Sequence, residues 1–167
     1  MAINRGKAFE GQFKKDWLRM KDSSCDRLPD IMSGYKAMSG ICDFIAYKFP
    51  LIFYMECKVI EKGNTFSLTR LSQYDKLITK GNIPGVRSGV VLWFTEKEKV
   101  VYVPINTFKK LKEDDAKSFN IKYLDTGEYT CIEIPSKKKV TFLESDYSIL
   151  CKPTEEEVEM FEHEYRL

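Results

Sequence analysis

The sequence predicts an α/β domain in which a mixed β-sheet is flanked by helices. Segments with helical and strand-like apolar spacing follow one another in the order helix, strand, strand, helix, strand, strand. The segment Val90–Phe94 is apolar at every position, as expected for a strand that is buried on both faces. Hydrophobic residues make up 43% of the 167 positions, which is enough for a packed core. We therefore expect residues 1–167 to form a single domain.

The first part of the chain predicts a helix, a long loop and a strand pair. Residues 4–21 are expected to be helical because four apolar side chains recur at positions i, i+4, i+8 and i+11. These are Phe9, Phe13, Trp17 and Met20. Residues 22–41 contain proline, two glycines and several serines, which indicates a loop that protrudes like a stalk. Strands are expected at 42–48 and 51–59, separated by Phe49-Pro50.

The second part of the chain predicts further strands and three helices. A turn is expected at 61–64, a helix at 68–80 capped by Gly81, and a loop from 81 to 89. The remaining expected elements are strands at 90–94 and 100–103, a short helix at 105–113, and strands near 129–134 and 138–143. A Thr154-x-x-Glu157 capping box predicts the start of a C-terminal helix within 153–167.

The composition excludes several kinds of catalytic site. The chain has a single histidine, His163, and its five cysteines include no CxxC pair, so a zinc cluster or a Ser-His-Asp triad has no support. No apolar run approaches the ~20 residues of a membrane helix, and the first residues lack a secretory signal. We therefore expect a cytosolic protein without a membrane partner, whose chemistry uses carboxylates, lysine or a hard metal ion.

Two carboxylates and a lysine are expected to meet on the predicted strand pair. Glu56 and Lys58 alternate onto one face of the second strand. If the turn centres between Phe49 and Pro50, opposed residue numbers sum to 99, and Asp43 lies directly opposite Glu56. Two facing carboxylates destabilise a strand pair unless something compensates them, and a divalent cation would do so.

The alternative is that this charged face is only the solvated side of an antiparallel pair. Spacing alone favours that interpretation, because a short D…ExK pattern occurs by chance. The strongly apolar flanking residues favour a central hairpin with the charged residues in a cleft. In the same way, Glu10 could be an ordinary helix partner of Lys14, and Gln73 an ordinary surface residue.

The wider pattern resembles a known family of nucleases. Asp43 followed by Glu56-Cys57-Lys58 is similar to the D…(D/E)xK motif of restriction-endonuclease-like nucleases. With the flanking motifs, the pattern over residues 4–120 is similar to RecU-type Holliday junction resolvases, and most similar to the short versions carried by phages and prophages. The flanking motifs are Arg5-Gly6 with Glu10, Cys42-Asp43-Phe44, Thr65-Phe66-Ser67-Leu68, and Gln73. The family has Thr-Thr before the aspartate, where this chain has Ile41-Cys42.

The resemblance implies a role for each matching residue. Asp43 and Glu56 would hold Mg²⁺, with Mn²⁺ as a substitute, and Glu10 would complete the acidic cluster from the first helix. Lys58 would orient the attacking water and stabilise charge on the phosphate. Gln73 would help to position the site.

The resemblance also implies an activity and partners. A restriction-endonuclease-like homodimer would cut four-way (Holliday) DNA junctions by symmetric paired nicks that leave 5′-phosphate ends, in a bacterial cytosol and with a recombinase partner left open. The expected DNA contacts are Arg5, Lys7, Lys14, Arg27, Tyr35 and Lys36. The alternatives are a nuclease of the same fold that acts on linear or other branched DNA, a non-catalytic junction-binding recombination protein, and a plain interaction module.

The charge distribution fits a DNA partner better than the net charge of +2 does. Residues 153–167 carry six glutamates and one arginine, so the rest of the chain has 26 basic and 19 acidic side chains, a net charge of +7. We therefore expect the acidic C-terminal helix to lie away from the DNA, and binding to weaken steeply with salt.

Overall fold

The computed structural model describes residues 4–29, 31–33, 36–38 and 40–164. The helices are α1 Arg5–Trp17, α2 Tyr74–Gly81, α3 Ile105–Glu113, α4 Tyr123–Thr126 and α5 Glu155–Glu164, with 3-10 turns at Leu68–Arg70 and Tyr147–Cys151. The strands that precede α2 are β1 Ser23–Arg27, β2 Ile31–Ser33, β3 Lys36–Met38, β4 Phe44–Lys48, β5 Leu51–Ile60 and β6 Thr65–Ser67. The later strands are β7 Val86–Phe94, β8 Lys99–Pro104, β9 Ser118–Asn120, β10 Ile132–Ile134, β11 Ser136–Lys138 and β12 Leu143–Ser145.

A six-stranded mixed sheet organises the fold, in the order β1-β4-β5-β7-β8-β10. The pair β5–β7 is parallel and the other pairs are antiparallel. Helix α2 lies within the β5–β7 crossover and packs on those two strands. Helix α1 covers one face of the sheet, and helices α2 and α3 cover the other. The predicted fold class, a mixed sheet flanked by helices, is confirmed.

Each face of the sheet has its own hydrophobic core. On the α1 face, Phe9, Phe13 and Trp17 are almost fully buried against the strands, which confirms the predicted apolar stripe. On the other face, Leu77 of α2 and Phe108 of α3 are buried with the even-numbered side chains of β7. Strand β7 is therefore apolar at nearly every position because both of its faces are covered.

The predicted register of the strand pair is confirmed. Phe44 lies opposite Met55 and Lys48 opposite Leu51, so each pair of residue numbers sums to 99. The helix predicted at 105–113 is also confirmed. The capping box is formed as expected, since the Glu157 N–H donates to Thr154 Oγ1 at 3.2 Å and the Thr154 N–H donates to Glu157 Oε2 at 2.6 Å.

Several predicted boundaries differ from the structure. Helix α1 ends at Trp17 rather than residue 21, and a 3-10 turn precedes α2, which begins at Tyr74. Strand β7 begins at Val86, inside the predicted 81–89 loop, because Val86 pairs with Ile52 of β5. Gly81 is the last residue of α2 rather than a cap beyond it. A Cβ there would lie 2.6 Å from Ser88 Oγ, so the close approach of α2 to β7 requires glycine.

The segment 22–41 is not the loop that the sequence predicts. Ser23–Arg27 forms an edge strand that pairs with β4, and Cys25 is 2% exposed within the α1-side core. The strands β2 and β3 then form a short antiparallel hairpin between β1 and β4. Only one apolar residue marks β1, so local periodicity carries no strand signal and the pairing with β4 determines the structure.

No helix among the described residues has the length and apolar character needed to cross a bilayer.

Candidate active site

Glu56 and Lys58 lie side by side on β5 and form a buried ion pair. Because side chains alternate along a strand, both lie on the face that α2 covers. The Glu56 side chain is 1% exposed, and Lys58 Nζ lies 2.6 Å from its Oε1. Neither carboxylate oxygen of Glu56 meets a donor with hydrogen-bond geometry among the described residues. A buried carboxylate with so little compensation is costly unless it binds something else.

Asp43 reaches the same place from the chain that leads into β4. Strand β4 begins at Phe44, so the edge of β5 beyond Met55 has no β4 residue to pair with. Asp43 Oδ2 accepts a hydrogen bond from the Cys57 N–H at 2.8 Å and so replaces a strand carbonyl at this edge. Further along the edge, the Arg70 side chain donates to the Val59 carbonyl at 3.4 Å. The carboxylate of Asp43 is therefore fixed beside Glu56, as the predicted register requires.

Glu10 approaches the site from helix α1, on the opposite face of the sheet. Its Oε2 accepts from Arg27 Nε at 2.9 Å. Arg27 is the register partner of Phe44 in the edge strand β1, so its side chain lies on the α1 face. The acidic side chains therefore approach one another from both faces of the sheet, next to the first residue of β4. Glu10 is close enough to Asp43 and Glu56 for its charge to affect both.

Burial, together with a neighbouring carboxylate, raises the pKa of both central carboxyl groups. For Glu56, burial, reinforced by the negative charge of Asp43, raises the pKa to about 7 against the opposing effect of Lys58. For Asp43, burial also raises the pKa, while the hydrogen bond from Cys57 lowers it and the charge of Glu10 adds to the rise. The negative charges are therefore incompletely compensated by the side chains alone.

Two carboxylates of this kind suit a hard divalent cation. Mg²⁺ is usually held by one or two protein carboxylates, and water and substrate phosphate complete its octahedron. Asp43 and Glu56 could supply that pair, and Glu56 Oε2, which has no hydrogen-bond donor among the described residues, is an acceptor that such an ion could use. Among the described residues, no three acidic, cysteine or histidine side chains converge as a complete metal cage.

The expected DNA-contacting residues divide into two groups. Lys7, Lys14 and Arg27 line a depression of about 240 Å³ together with Glu10. Arg5 lies apart from them, 3.6 Å from Glu61, in a larger cleft on the other side of α1.

The two expected contacts in the β2–β3 region are not located by side chain. Tyr35 lies outside the described residues, and Lys36 is described only by its backbone in β3.

Gln73 immediately precedes α2, on the face of the sheet that Glu56 occupies. Its Oε1 accepts from the Ser72 hydroxyl at 3.0 Å, and its carbonyl oxygen accepts from the Leu77 N–H at 2.9 Å. The described residues show no hydrogen bond between Gln73 and Asp43 or Glu56. Its observed contacts are those of a residue at the start of a helix.

The sequence did not reveal two contacts of the site. These are the ion pair between Arg27 and Glu10 and the hydrogen bond that the Cys57 N–H donates to Asp43. Both depend on how chain segments meet: Arg27 is aligned with Glu10 only because 23–27 is an edge strand. The Cys57 N–H is available only because β4 begins at Phe44 and leaves no β4 residue opposite it. The predicted register contained one signal for the contact with Cys57. It placed Asp43 one residue before Phe44, which is the first residue of β4 with a partner in β5.

Comparison with known proteins gives a likeness to solved structures but not to sequences. No protein family and no curated protein sequence matches the chain. Among solved structures, the chain is similar to Hjc from Archaeoglobus fulgidus, which is described as a Holliday junction resolvase from an archaeal hyperthermophile. The identity is 16% and the TM-score 0.45, over 61% of this chain and 78% of that one. At this level of similarity, the function of the chain has to be argued from its own site.

Proposed function

We propose that the protein is a divalent-metal-dependent endodeoxyribonuclease that cuts four-way DNA junctions. The observation that carries this proposal is the buried carboxylate of Glu56, which lies between Asp43 and Lys58 and whose one close donor among the described residues is the Lys58 ammonium, 2.6 Å from Oε1. Buried charge of this kind, with a raised pKa and a specific charge partner, is characteristic of functional sites. The site combines two carboxylates with one lysine, and these are groups that support metal-dependent hydrolysis of a phosphodiester.

Each residue of the site has a part in that reaction. Asp43 and Glu56 would hold Mg²⁺, for which Mn²⁺ would substitute, and the ion would supply charge neutralisation and an activated water. Lys58 carries a point charge that stabilises the phosphate oxygens as the water oxygen attacks phosphorus. Glu10 sets the charge balance of the site and holds Arg27. The P–O3′ bond breaks, the 3′-oxygen takes up a proton, and the products carry 3′-hydroxyl and 5′-phosphate ends.

Positive charge beside the carboxylates supports a DNA substrate. Lys7, Lys14 and Arg27 surround the depression next to Glu10, where the phosphates that flank the scissile bond would lie. The acidic helix α5 is anchored elsewhere, because Glu157 pairs with Arg87 at 2.7 Å near the start of β7. Arg87 is the register partner of Phe53, about 10 Å along β5 from Glu56. This placement supports the expectation that α5 lies away from the DNA.

A junction substrate, rather than linear DNA, is proposed for two reasons. One is the RecU-like pattern, and the other is the β2–β3 hairpin, which lies in the chain between the edge strand β1 and its neighbour β4. A homodimer would match the two equivalent phosphates of a junction and produce paired nicks. The five free thiols fit the reducing cytosol of a bacterium, in which a phage-type enzyme of this kind would act. Gln73, Tyr35 and Lys36 keep the roles that the family pattern implies for them.

The decisive experiment compares cleavage of a synthetic four-way junction with cleavage of its component duplexes, with and without Mg²⁺, for the wild-type protein and the Asp43→Asn variant. We expect symmetric nicks in the junction only, only with the metal, and only with the wild-type protein. Equal cleavage of the duplexes would assign the protein to nucleases of linear DNA. Tight junction binding without cleavage in Mg²⁺ or Mn²⁺ would assign it to the non-catalytic binding proteins.

A further inference from the structure

Arg70 differs from the other arginines of the described residues because no carboxylate neutralises it. The others pair with acidic side chains at distances between 2.7 and 3.6 Å, and they are Arg5, Arg19, Arg27 and Arg87. Arg70 is exposed, and no acidic side chain in the described part of the chain lies within ion-pair distance of it. A guanidinium offers five N–H donors in a planar fork that matches the oxygens of a phosphate. The charge of Arg70 is therefore available to an anionic ligand.

Two contacts hold the Arg70 side chain in place. One of its terminal nitrogens donates to the Val59 carbonyl at 3.4 Å, and its guanidinium carbon lies 5.3 Å from the centre of the Phe66 ring. Phe66 is fully buried and paired with Phe119 between β6 and β9, so its ring is a fixed support. A ring contact and one long hydrogen bond orient the guanidinium but leave most of its donors unused. Such a side chain has less freedom to lose when it binds a ligand.

Arg70 lies on the same open edge of β5 as Asp43. This edge has no partner strand beyond Met55, and Asp43 accepts from the Cys57 N–H there. Val59, whose carbonyl accepts from Arg70, is two residues further along, so it presents its backbone to the same edge. Two residues of a strand span roughly 7 Å, so Asp43 and Arg70 are anchored about as far apart as neighbouring phosphates of one DNA strand.

We propose that Arg70 binds the phosphate next to the scissile one, on the side of the site away from the depression beside Glu10. This inference rests on the proposed function. The depression, which contains Glu10 and Arg27, lies at the level of Phe44, the first residue of β4. Arg70 lies beyond Asp43 in the opposite direction along β5. A DNA strand that leaves the depression and crosses Asp43 therefore meets Arg70 next.

A purely structural role for Arg70 would be to occupy the open edge of β5, and two variants separate the two roles. Arg70→Gln keeps a donor for the Val59 carbonyl but removes the charge. Arg70→Lys keeps a donor and the charge but loses the planar fork. Both variants should therefore fold, which circular dichroism and urea unfolding would verify.

The first test measures binding of a synthetic four-way junction without cleavage, in the Asp43→Asn background and at several salt concentrations. Arg70→Gln should weaken binding about tenfold, which is the effect of one charge-assisted contact. It should also reduce the slope of log K against log salt concentration by about 1. Arg70→Lys should keep the slope and bind with intermediate affinity. A structural role alone would change neither the slope nor the order of the three affinities.

The second test measures cleavage kinetics in Mg²⁺ in the chain that retains Asp43. A phosphate that is not cleaved makes the same contact in the bound substrate and in the transition state. Arg70→Gln should therefore raise KM and leave kcat nearly unchanged. A fall in kcat at unchanged KM would overturn the assignment of Arg70 to a neighbouring phosphate.

The third test identifies the phosphate. Junctions are synthesised with an uncharged methylphosphonate in place of the phosphate on either side of the scissile bond. The protein with Arg70 should bind one of the two modified junctions more weakly than the unmodified one. Arg70→Gln should show no further loss at that position, because the contact is already absent. Equal losses with and without Arg70 at both positions would overturn the proposal.

The matched control is Arg19→Gln. Arg19 carries the same charge and is 55% exposed, but it already pairs with Asp16 and Glu144. Its removal should change neither junction affinity nor the salt slope. A chain that cuts the junction, but binds it equally well after Arg70→Gln, would overturn this inference and leave the proposed function standing. A chain that never cuts, but binds more weakly after Arg70→Gln, would overturn the nuclease alone, and a chain that neither binds nor cuts would overturn both.

Discussion

The carboxylate of Asp43, just before the first residue of β4, accepts a hydrogen bond from the backbone N–H of Cys57 at 2.8 Å. One oxygen of Asp43 therefore completes the edge of β5, while the charge of the same carboxylate acts on Glu56. A single side chain in this way both satisfies the exposed edge of a central strand and contributes charge to the candidate site. The structural and the chemical roles can be separated, because they need different properties of the side chain.

The variants Asp43→Asn and Asp43→Ala are expected to separate these roles. Asparagine retains an oxygen that can accept from the Cys57 N–H, so its stability should stay close to that of the wild type. Alanine leaves a buried N–H without a partner and should lower the free energy of unfolding by about 1–3 kcal/mol. Both variants remove the carboxylate charge, so neither should cut the junction. Urea unfolding and a nicking assay measure the two effects. Full nicking by Asp43→Asn in Mg²⁺ would remove Asp43 from the chemistry.

Lys58 is expected to act on the reaction and on the ionisation of Glu56 together. Replacing it with methionine removes the cation that lies 2.6 Å from Glu56 and opposes the rise in the pKa of that carboxyl group. The cleavage rate should fall by a factor on the order of 100, as for other removed transition-state donors. The pH dependence of the remaining activity should move to higher pH, because Glu56 would ionise later.

A matched control for Lys58→Met is Lys62→Met, in the turn that follows β5 and outside the ion pair. It should change neither the rate nor the pH dependence. If Lys58→Met lowered the rate without moving the pH profile, the coupling to Glu56 would be wrong even though Lys58 was needed.

The strand pair and its register could be predicted from sequence because two local signals agree there. Strict alternation along 53–59 determines the face of each side chain, and Phe49-Pro50 marks the turn, so the position of Asp43 follows. The capping box at Thr154 and Glu157 is equally local.

The parts that could not be predicted depend on tertiary pairing. Strand β1 has one buried apolar residue, Cys25, and exists because β4 offers an edge to pair with. Strand β7 extends back to Val86 because β5 continues beside it. The ion pair between Glu10 and Arg27 needs both α1 and β1 in place, so the sequence pattern predicts only a DNA contact for Arg27.

The depression beside Glu10 predicts a specific salt dependence for DNA binding. If Lys7 and Lys14 each contact a phosphate, the double variant Lys7→Ala/Lys14→Ala should reduce the slope of log K against log salt concentration by about 2. Binding of all DNA sequences should weaken alike, because phosphate contacts carry no sequence information. Lys97→Ala, in the exposed turn between β7 and β8, removes a positive charge elsewhere and should leave the slope unchanged. Equal slopes for the double variant and the wild type would place the DNA away from this face of α1.

The raised pKa of Glu56 makes the metal-free protein sensitive to pH. The pKa is about 7 in the folded chain, against 4.5 for an ordinary glutamate. Between those values the folded state holds a proton that the unfolded state has released, so stability falls as the pH rises through this window and levels off above pH 7. The total loss is about 3 kcal/mol, because each pKa unit corresponds to roughly 1.4 kcal/mol.

The variant Glu56→Gln is therefore expected to be more stable than the metal-free wild type at pH 8 and inactive in cleavage. A neutral amide avoids burying the charge that the wild-type chain carries at that pH, so the melting temperature should rise by several degrees. Below pH 4.5 the advantage should disappear, because the wild-type carboxyl is then protonated in both states. Adding Mg²⁺ at pH 8 should stabilise the wild type and leave Glu56→Gln almost unchanged, since an ion that binds only the folded state shifts the unfolding equilibrium. Thermal melts over pH 4 to 8, with and without Mg²⁺, measure all of these effects. If the ion stabilised both proteins equally, Glu56 could not be one of its ligands.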